Sequence, residues 1–600
     1  MVKAVLDVFS TPHVTAERRS DGTLLLGSGE PLGDYAVSVA HLFRSGSEAH
    51  PERTLAAQRD GEGWAALTWG EARARADAIA QALLDHGLGP ERPLMVLSAN
   101  SLEHLLMTLA CHTAGVPVVP VSTAYSLMSR DHVRIRQIAR LVRPGMVFAD
   151  DGDAYGPALA AAHVGLRVVA RGSAAGALTL EELLATSPGP AVEAAVASLG
   201  PDAIAKILFT SGSTGHPKGV INTHRMLCSN QQALGQIWPF LRSEPPVLVD
   251  WLPWSHTFGG NHNLNQVLAF GGTLYIDDGK PAPQLFERTI AALREIPPTV
   301  YYNVPAGYAL LTPRLESDPE LATAFFSRLR FMFYAAAALP QDLWQRLRAL
   351  ADAVADHDIP LTASWGTTET APAATSAHYR SAPCGCIGVP LPEVTLKLLP
   401  HEDSYEIRLS GPNVTPGYHA DPDATAAAFD DEGFYRTGDA VRMVDEARPE
   451  AGLMFAGRLA EDFKLTTGTW VHVGALRTAL VSSARVLTDA VIAGHDRDFA
   501  AALAWVNQAE ASAVCRTDGP VPLDHPVLCS HLARALGKLN AGQGSAGRVE
   551  RLLLLADPPD IDAGEITDKG YINQRRVLAQ RAEQVARLYE TPCPADVVTA

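Results

Sequence analysis

Cysteine is scarce, at seven residues in 600, which argues against a disulfide framework of the kind that staples small secreted domains. Cys384 and Cys386 form a CxC, but no second pair stands at metal-ligand spacing, so no zinc site is expected there. Positive charge is in deficit: 49 Lys and Arg against 66 Asp and Glu leave a formal charge of −17. A field of that sign repels nucleic acid and anionic membranes as general partners, while leaving room for a local basic patch against a phosphate-bearing substrate. Long hydrophobic runs are lacking too. The longest uncharged apolar stretch, 105–121, is broken by His112, Gly115, Pro117 and Pro120. It reads as buried helix, turn and short buried strand, not as a membrane span. The opening MVKAVLDVFSTPHV has no sustained apolar core of signal-peptide type, and no solenoid or propeller period repeats. A cytoplasmic protein without stable membrane insertion is the expectation. Asn413-Val414-Thr415 matches a glycosylation sequon, with nothing else pointing to secretion.

What is present is an ordinary globular composition, 47% hydrophobic and 19% charged, in a chain too long for one hydrophobic core. Helical patterns alternate with short β-branched runs. TWGEARARADAIAQALLDHGLG reads as an amphipathic helix closed by Gly87 or Gly89, PLMVLSAN as a strand, SLEHLLMTLACHTAG as a helix and VPVVPV as a strand. DHVRIRQIARLVRP and GMVFAD repeat the cycle. This alternation predicts an α/β fold with mostly parallel sheets, in which ligands bind beyond the carboxyl ends of strands. Near Leu391 the pattern changes: TLKLL and YEIRLSG predict an antiparallel-rich subdomain, followed by turn-rich sequence to Asp439. From Leu459 a smaller set of elements appears, including LTDAVIAGH, AALAWVN and RVERLLLLAD, then a polar tail. Two domains are expected, 1–457 and 458–600.

The most specific signal is IAKILFTSGSTGHPKGVINTH, residues 204–224. An apolar strand runs into Thr210, Ser211, Gly212, Ser213, Thr214, Gly215, His216, Pro217, Lys218 and Gly219. Glycines let backbone amides turn toward an anion, hydroxyls add donors, and Lys218 supplies charge against a polyphosphate. The spacing fails the Walker pattern, because Gly212 leads to Pro217-Lys218-Gly219.

TSGSTGHPKG resembles the signature loop of the adenylate-forming superfamily: acyl-CoA synthetases, peptide-synthetase adenylation domains and firefly luciferase. Further segments resemble that family's motifs in order. Ser364-Trp365-Gly366-Thr367-Thr368-Glu369-Thr370 matches its aromatic-Gly-x-Thr-Glu element. The resemblance implies an α-phosphate contact for Thr368, Mg²⁺ for Glu369 and adenine stacking for Trp365, beside Gly366 and Thr367. Tyr435-Arg436-Thr437-Gly438-Asp439 matches YRTGD, implying that Asp439 accepts both ribose hydroxyls. Gly457-Arg458 and FKLTTG imply that Arg458 reaches ribose or phosphate and that Gly468 lets a pantetheine arm pass. Ala460, beside Glu461, stands where the family has its Lys or Asp hinge, and the acidic residue usual after Gly468 is missing from 473–477. In FYAAAALP, alanines replace the family's glycines along adenine, here Ala336 and Ala337. By itself such a run reads as core packing. The resemblance implies a small, mobile α+β C-terminal domain.

The family's C-terminal lysine, which bridges carboxylate and α-phosphate, usually follows a glycine directly. Gly564 is followed instead by Glu565, and Lys569 comes four residues after that. Long-chain acyl-CoA synthetases and feruloyl-CoA synthases resemble this arrangement, so the role falls to Lys569, with Lys464 the alternative or a participant in thioester formation. His256 and Phe258 match the substrate-gate His-x-aromatic element. Trp251, Trp254, Gly259, Tyr302 and Tyr334 are the further candidates for walls of an acid pocket. The stretch 249–281 as a whole, with PVSTAYSL and GEITDKGYINQR, resembles bacterial feruloyl-CoA synthase. What the resemblance implies is a hydroxycinnamate or related aryl acid, MgATP and coenzyme A as substrates, an acyl-AMP intermediate, and room for a homodimer. The alternatives are a medium- or long-chain fatty acyl-CoA ligase, an adenylating protein that loads a separate carrier, and a nucleotide-binding regulator that has lost catalysis.

Overall fold

A computed structural model describes residues 5–211, 217–282, 284–567 and 572–600. The chain divides into two compact units: Met1–Leu399 with Ile407–Thr437 and Met443–Met454, and Pro400–Glu406 with Gly438–Arg442 and Phe455–Ala600.

In the first unit the expected alternation forms. The helix Trp69–Asp85 starts at a capping box in which Thr68 and Glu71 satisfy each other's amides. The helix Leu102–Ala114 is capped by Ser101, stops at Gly115 in the left-handed region (φ +70°), and is buried along most of its length. It is covered on all sides because it lies within the layers, which is why the sequence shows a continuous apolar run and no stripe. Leu94–Leu97, Val118–Val121, Met146–Asp151 and Arg167–Arg171 are parallel neighbours in a seven-stranded sheet. Ile204–Ser211 joins it parallel to Val118–Val121, and Pro217–Thr223 closes the edge antiparallel. A four-stranded sheet places Val247–Asp250, Thr273–Ile276 and Thr54–Asp60 parallel, with Gly63–Thr68 antiparallel at the edge. A third sheet begins with three parallel strands, Val300–Asn303, Phe331–Tyr334 and Leu361–Gly366. It continues antiparallel through Ala373–Ser376 and Cys386–Pro390. Its far side holds Leu24–Ser28, paired with Thr395–His401 on one side and with the edge strand Val14–Arg18 on the other. No helix among the described residues is long and apolar enough to cross a membrane.

The second unit has its own core. Leu487–Ala493, Ala501–Val506, Arg551–Leu554 and Val597–Thr599 form a four-stranded sheet. Leu476, Leu480, Leu528, Leu532 and Leu536 from the helices Val473–Ser483 and Pro526–Asn540 pack on Ala490, Ile492, Ala502 and Leu552.

Two sequence expectations are corrected here. The strands reach further into the ten-residue loop than the sequence suggests: Thr210 pairs with Lys218 and Ser211 with Pro217, continuing strands whose Ile207, Leu208 and Val220 are buried. The YRTGD segment is no turn; it lies in the strand Tyr435–Met443, where Tyr435, Asp439, Ala440 and Val441 are buried. The polar stretch after RVERLLLLAD also contributes to the core. Its helix Gln574–Gln580 and its strand Val597–Thr599 carry Val577, Val597 and Val598 into the core. The sequon is structural: Asn413 is buried and donates to the carbonyls of Thr370 and Ala373.

Candidate functional site

In the first unit the signature hairpin is fixed from outside its own sheet. The amide of His419 donates to Gly219 O at 2.7 Å, that of Ile221 to Gly417 O at 3.2 Å, and Thr415 Oγ1 to Ile221 O at 2.7 Å. These bonds carry the 415–419 segment along the return strand and set the Tyr418 ring beneath Lys218, whose Nζ stands 5.0 Å from the ring centroid. The hydroxyl of Tyr418 donates to Glu369 Oε1 at 3.1 Å, and the Tyr435 hydroxyl lies 3.5 Å from it. Burial, reinforced by the Glu369 charge, raises both phenols, so both keep their protons and act as donors. One aromatic ring thus links the loop lysine to the motif glutamate.

Glu369 owes its place to the turn that bears it. The strand Leu361–Gly366 ends where only glycine fits: a Cβ on Gly366 would sit 1.8 Å from the Pro372 carbonyl oxygen. Thr367 then caps the 3₁₀ turn Thr368–Thr370 by donating its amide to Thr370 Oγ1 at 2.8 Å. The Glu369 carbonyl accepts from the Thr415 amide at 2.8 Å, and the Thr368 carbonyl from Asn222 Nδ2 at 3.2 Å. Trp365, Thr368 and Glu369 are all buried. Asn222 in turn accepts from Asn261 Nδ2 at 2.6 Å, which also donates to Thr257 Oγ1 at 3.0 Å. That chain connects hairpin, glutamate turn and gate segment. Among the described residues no cluster of three His, Cys, Asp or Glu side chains could enclose a metal. Glu369 suits Mg²⁺ instead, which is commonly held by one or two carboxylates together with water and substrate phosphates.

The gate candidates part company. His256 and Phe258 are half-buried at the start of the π-helix Phe258–Asn263, and Gly259 is buried. Phe258 meets the rings of His262, Tyr302 and Phe333 at centroid distances of 5.7, 6.3 and 5.7 Å. Trp254 is buried with its ring against His104 at 5.1 Å, so it does not share that cluster. Trp251 donates to Asn303 Oδ1 at 3.3 Å. Tyr334 is buried and its hydroxyl accepts from the Gly385 amide. The core-packing reading of the alanine run is corrected: Ala336 and Ala337 are exposed, and Ala336 holds φ +76°. That is the left-handed region, which a glycine enters without the strain an alanine meets. Cys384 and Cys386 are free thiols, with Tyr379 Oη 3.1 Å from Cys386 Sγ.

In the second unit Asp439 is buried, with exposed Arg458 Nε at 3.7 Å from its Oδ1. Lys464 is exposed and lies over Trp470 at 4.8 Å. Gly468 (φ +81°) turns the hairpin that joins Phe463–Lys464 to Trp470–Val471. Glu565 is buried and takes two bonds from Arg581, at 2.8 and 2.7 Å, a structural ion pair. Gly212, Ser213, Thr214 and Gly215, the Ser211 side chain and Lys569 lie outside the described residues. Tyr418 and Asn222 are not among the residues the sequence singles out, and Asn413 appears there only as part of a sequon; for Tyr418 and Asn413 the signal is NVTPGY, within the turn-rich stretch.

The family described as AMP-binding enzyme matches residues 43–419, and that described as AMP-binding enzyme C-terminal domain matches 462–592. A 3-[(3aS,4S,7aS)-7a-methyl-1,5-dioxo-octahydro-1H-inden-4-yl]propanoyl:CoA ligase of Mycobacterium tuberculosis is 30% identical over 426 residues, spanning 70% of this chain and 79% of its own. A benzoate–CoA ligase of Thauera aromatica is 26% identical over 423 residues, 69% of this chain and 75% of its own. The solved A domain of a carboxylic acid reductase from Segniliparus rugosus, in complex with AMP and a co-purified carboxylic acid, superposes with a TM-score of 0.72 at 20% identity. It covers 92% of this chain and 94% of that one, a likeness of fold.

Proposed function

The chain belongs to the AMP-binding enzyme family, and on that premise we propose that it is an ATP-dependent aryl-acid CoA ligase acting on hydroxycinnamates such as ferulate. The observation that carries the adenylating role is the link from Lys218 through Tyr418 to Glu369. It holds a cation and a carboxylate on either side of one aromatic ring, the charges that phosphate and Mg²⁺ binding call for. The CoA-ligase role draws on CoA ligases among its relatives, the two described above included. The aryl preference draws on the ring cluster around Phe258 and on the resemblance of 249–281 to feruloyl-CoA synthase.

In this reading the acid carboxylate attacks the α-phosphorus of ATP in line, pyrophosphate leaves and acyl-AMP stays bound. Lys218 and the hairpin amides hold the departing phosphates, and Thr368 contacts the α-phosphate. Trp365 and the Ala336-Ala337 backbone flank adenine. Asp439 takes the ribose hydroxyls, with Arg458 assisting. Mg²⁺ held at Glu369 would neutralise phosphate charge. Lys569 lowers repulsion between carboxylate and phosphate in the transition state. In the second half-reaction the 458–600 domain moves, withdraws Lys569 and admits pantetheine along Gly468 with Lys464 nearby. The CoA thiolate then attacks the acyl carbon and AMP leaves. His256 and Phe258 gate the acid, so the mixed anhydride forms away from water.

Pyrophosphate release and CoA-thioester formation are measured with ferulate, coumarate, benzoate and octanoate. Ferulate or coumarate is expected to give the highest kcat/KM. Highest turnover with octanoate refutes the aryl assignment, and acyl-AMP formation without any thioester refutes CoA as acceptor.

A further inference from the structure

Lys206 lies in the strand that runs into the signature hairpin, opposite Asn222 and beside Val118. It is fully enclosed, and its ammonium donates to the carbonyl oxygen of Gly260 at 2.7 Å. Gly260 belongs to the π-helix Phe258–Asn263, which begins at the gate phenylalanine. There the Leu264 amide bonds Gly259 O, five residues back, and so passes over Gly260 O, the acceptor that α-helical register would give it. Insertions of this kind free a carbonyl within a helix, and Lys206 fills that vacancy. The two glycines have no freedom to drift. A Cβ on Gly259 would come within 2.3 Å of Leu252 O, and one on Gly260 within 2.3 Å of Trp254 O.

Lys206 is an expensive way to satisfy one carbonyl. No carboxylate pairs with it among the described residues. The titratable groups that feel its charge are the imidazoles of His104, His112 and His224. Burial drives all three toward neutrality, and His224 Nδ1 accepts the Val39 amide. Burial also lowers the Lys206 ammonium to about 7. An apolar side chain of the same length would escape that penalty.

We propose that Lys206 is a positioning residue that latches the acid gate to the phosphate-loop strand, making acid binding and ATP binding interdependent. The inference rests on the adenylating function proposed above. Gate position is transmitted through the Lys206–Gly260 bond to the strand that ends at Thr210–Ser211, where the signature loop begins. The Asn261–Asn222 bond supports the same junction one strand over.

The test is the affinity of full-length protein for α,β-methylene-ATP with and without the acid that wild type turns over best, by calorimetry, in wild type, Lys206→Met and Lys206→Gln. Wild type should show a coupling of about ten-fold, within the usual range for linked sites. Lys206→Met keeps the length and loses the donor. It should bind each ligand alone within about three-fold of wild type while the coupling collapses toward unity. Lys206→Gln, which restores a neutral donor, should recover much of it. Undiminished coupling in Lys206→Met, or none in wild type, overturns the latch. If Lys206→Met does not fold, Lys206→Gln decides: coupling reduced below wild type with intact single-ligand binding supports the latch, and coupling equal to wild type overturns it. Failure of wild type to release pyrophosphate with any acid refutes the activity instead, and is read separately.

Discussion

Replacing Tyr418 by phenylalanine isolates one hydrogen bond. The ring stays, so Lys218 keeps its aromatic neighbour at 5.0 Å, and the backbone bonds of 415–419 to the return strand are untouched. What goes is the donor to Glu369 Oε1 at 3.1 Å, between two side chains that are 9% and 8% exposed. A buried hydrogen bond to a charged partner contributes about 1.5–3 kcal/mol. The Tyr435 hydroxyl, 3.5 Å from that of Tyr418, can swing to replace part of it, so the lower end applies. About 1.5 kcal/mol is roughly a ten-fold loss in kcat/KM. The loss belongs to MgATP, because it is Glu369 whose aim is released. The assay is acid-dependent ATP–pyrophosphate exchange with MgATP varied at saturating acid, repeated across Mg²⁺ concentrations, with a melting curve to confirm folding. The expected result is a ten-fold fall in kcat/KM for MgATP, a raised Mg²⁺ requirement and an unchanged KM for the acid. Exchange within two-fold of wild type, in a folded variant, would refute the claim that this hydroxyl orients the glutamate.

Gly366→Ala forces a Cβ to within 1.8 Å of the Pro372 oxygen. The backbone must move, at roughly 1–3 kcal/mol, and the turn bearing Glu369 moves with it. A lower apparent Tm together with near-complete loss of exchange is expected, and a variant with wild-type exchange would show that the turn tolerates displacement. Asp439→Ala should weaken ATP binding at least about ten-fold, the scale of a lost charge-assisted hydrogen bond, with acid binding unchanged in equilibrium dialysis. Unchanged ATP affinity removes the ribose role. Lys569→Ala should slow adenylation by about 10²–10³-fold, as loss of a transition-state donor does, while thioester formation from presynthesised acyl-AMP persists. Equal loss in both half-reactions counts against the lysine.

Local sequence determined the elements whose causes are local. The helix Trp69–Asp85 follows from its capping box, the helix Leu102–Ala114 from Ser101 and Gly115, and the parallel sheets from short β-branched runs between such helices. The signature segment, the aromatic-Gly-Thr-Thr-Glu turn and YRTGD were legible because each is contiguous and chemically unusual. Tertiary structure alone decided which of them meet. Tyr418 joins Lys218 to Glu369 only because 415–419 runs beside the return strand, a pairing between distant segments that leaves no periodicity to read. The exposure of Ala336, the folding of the C-terminal tail and the separation of Trp254 from Phe258 are likewise products of neighbours brought in by the fold. Lys206 shows the limit most sharply. In sequence it is one lysine in an apolar strand, and only the enclosing layers make its single bond to Gly260 something the chain must sustain against the cost of desolvation.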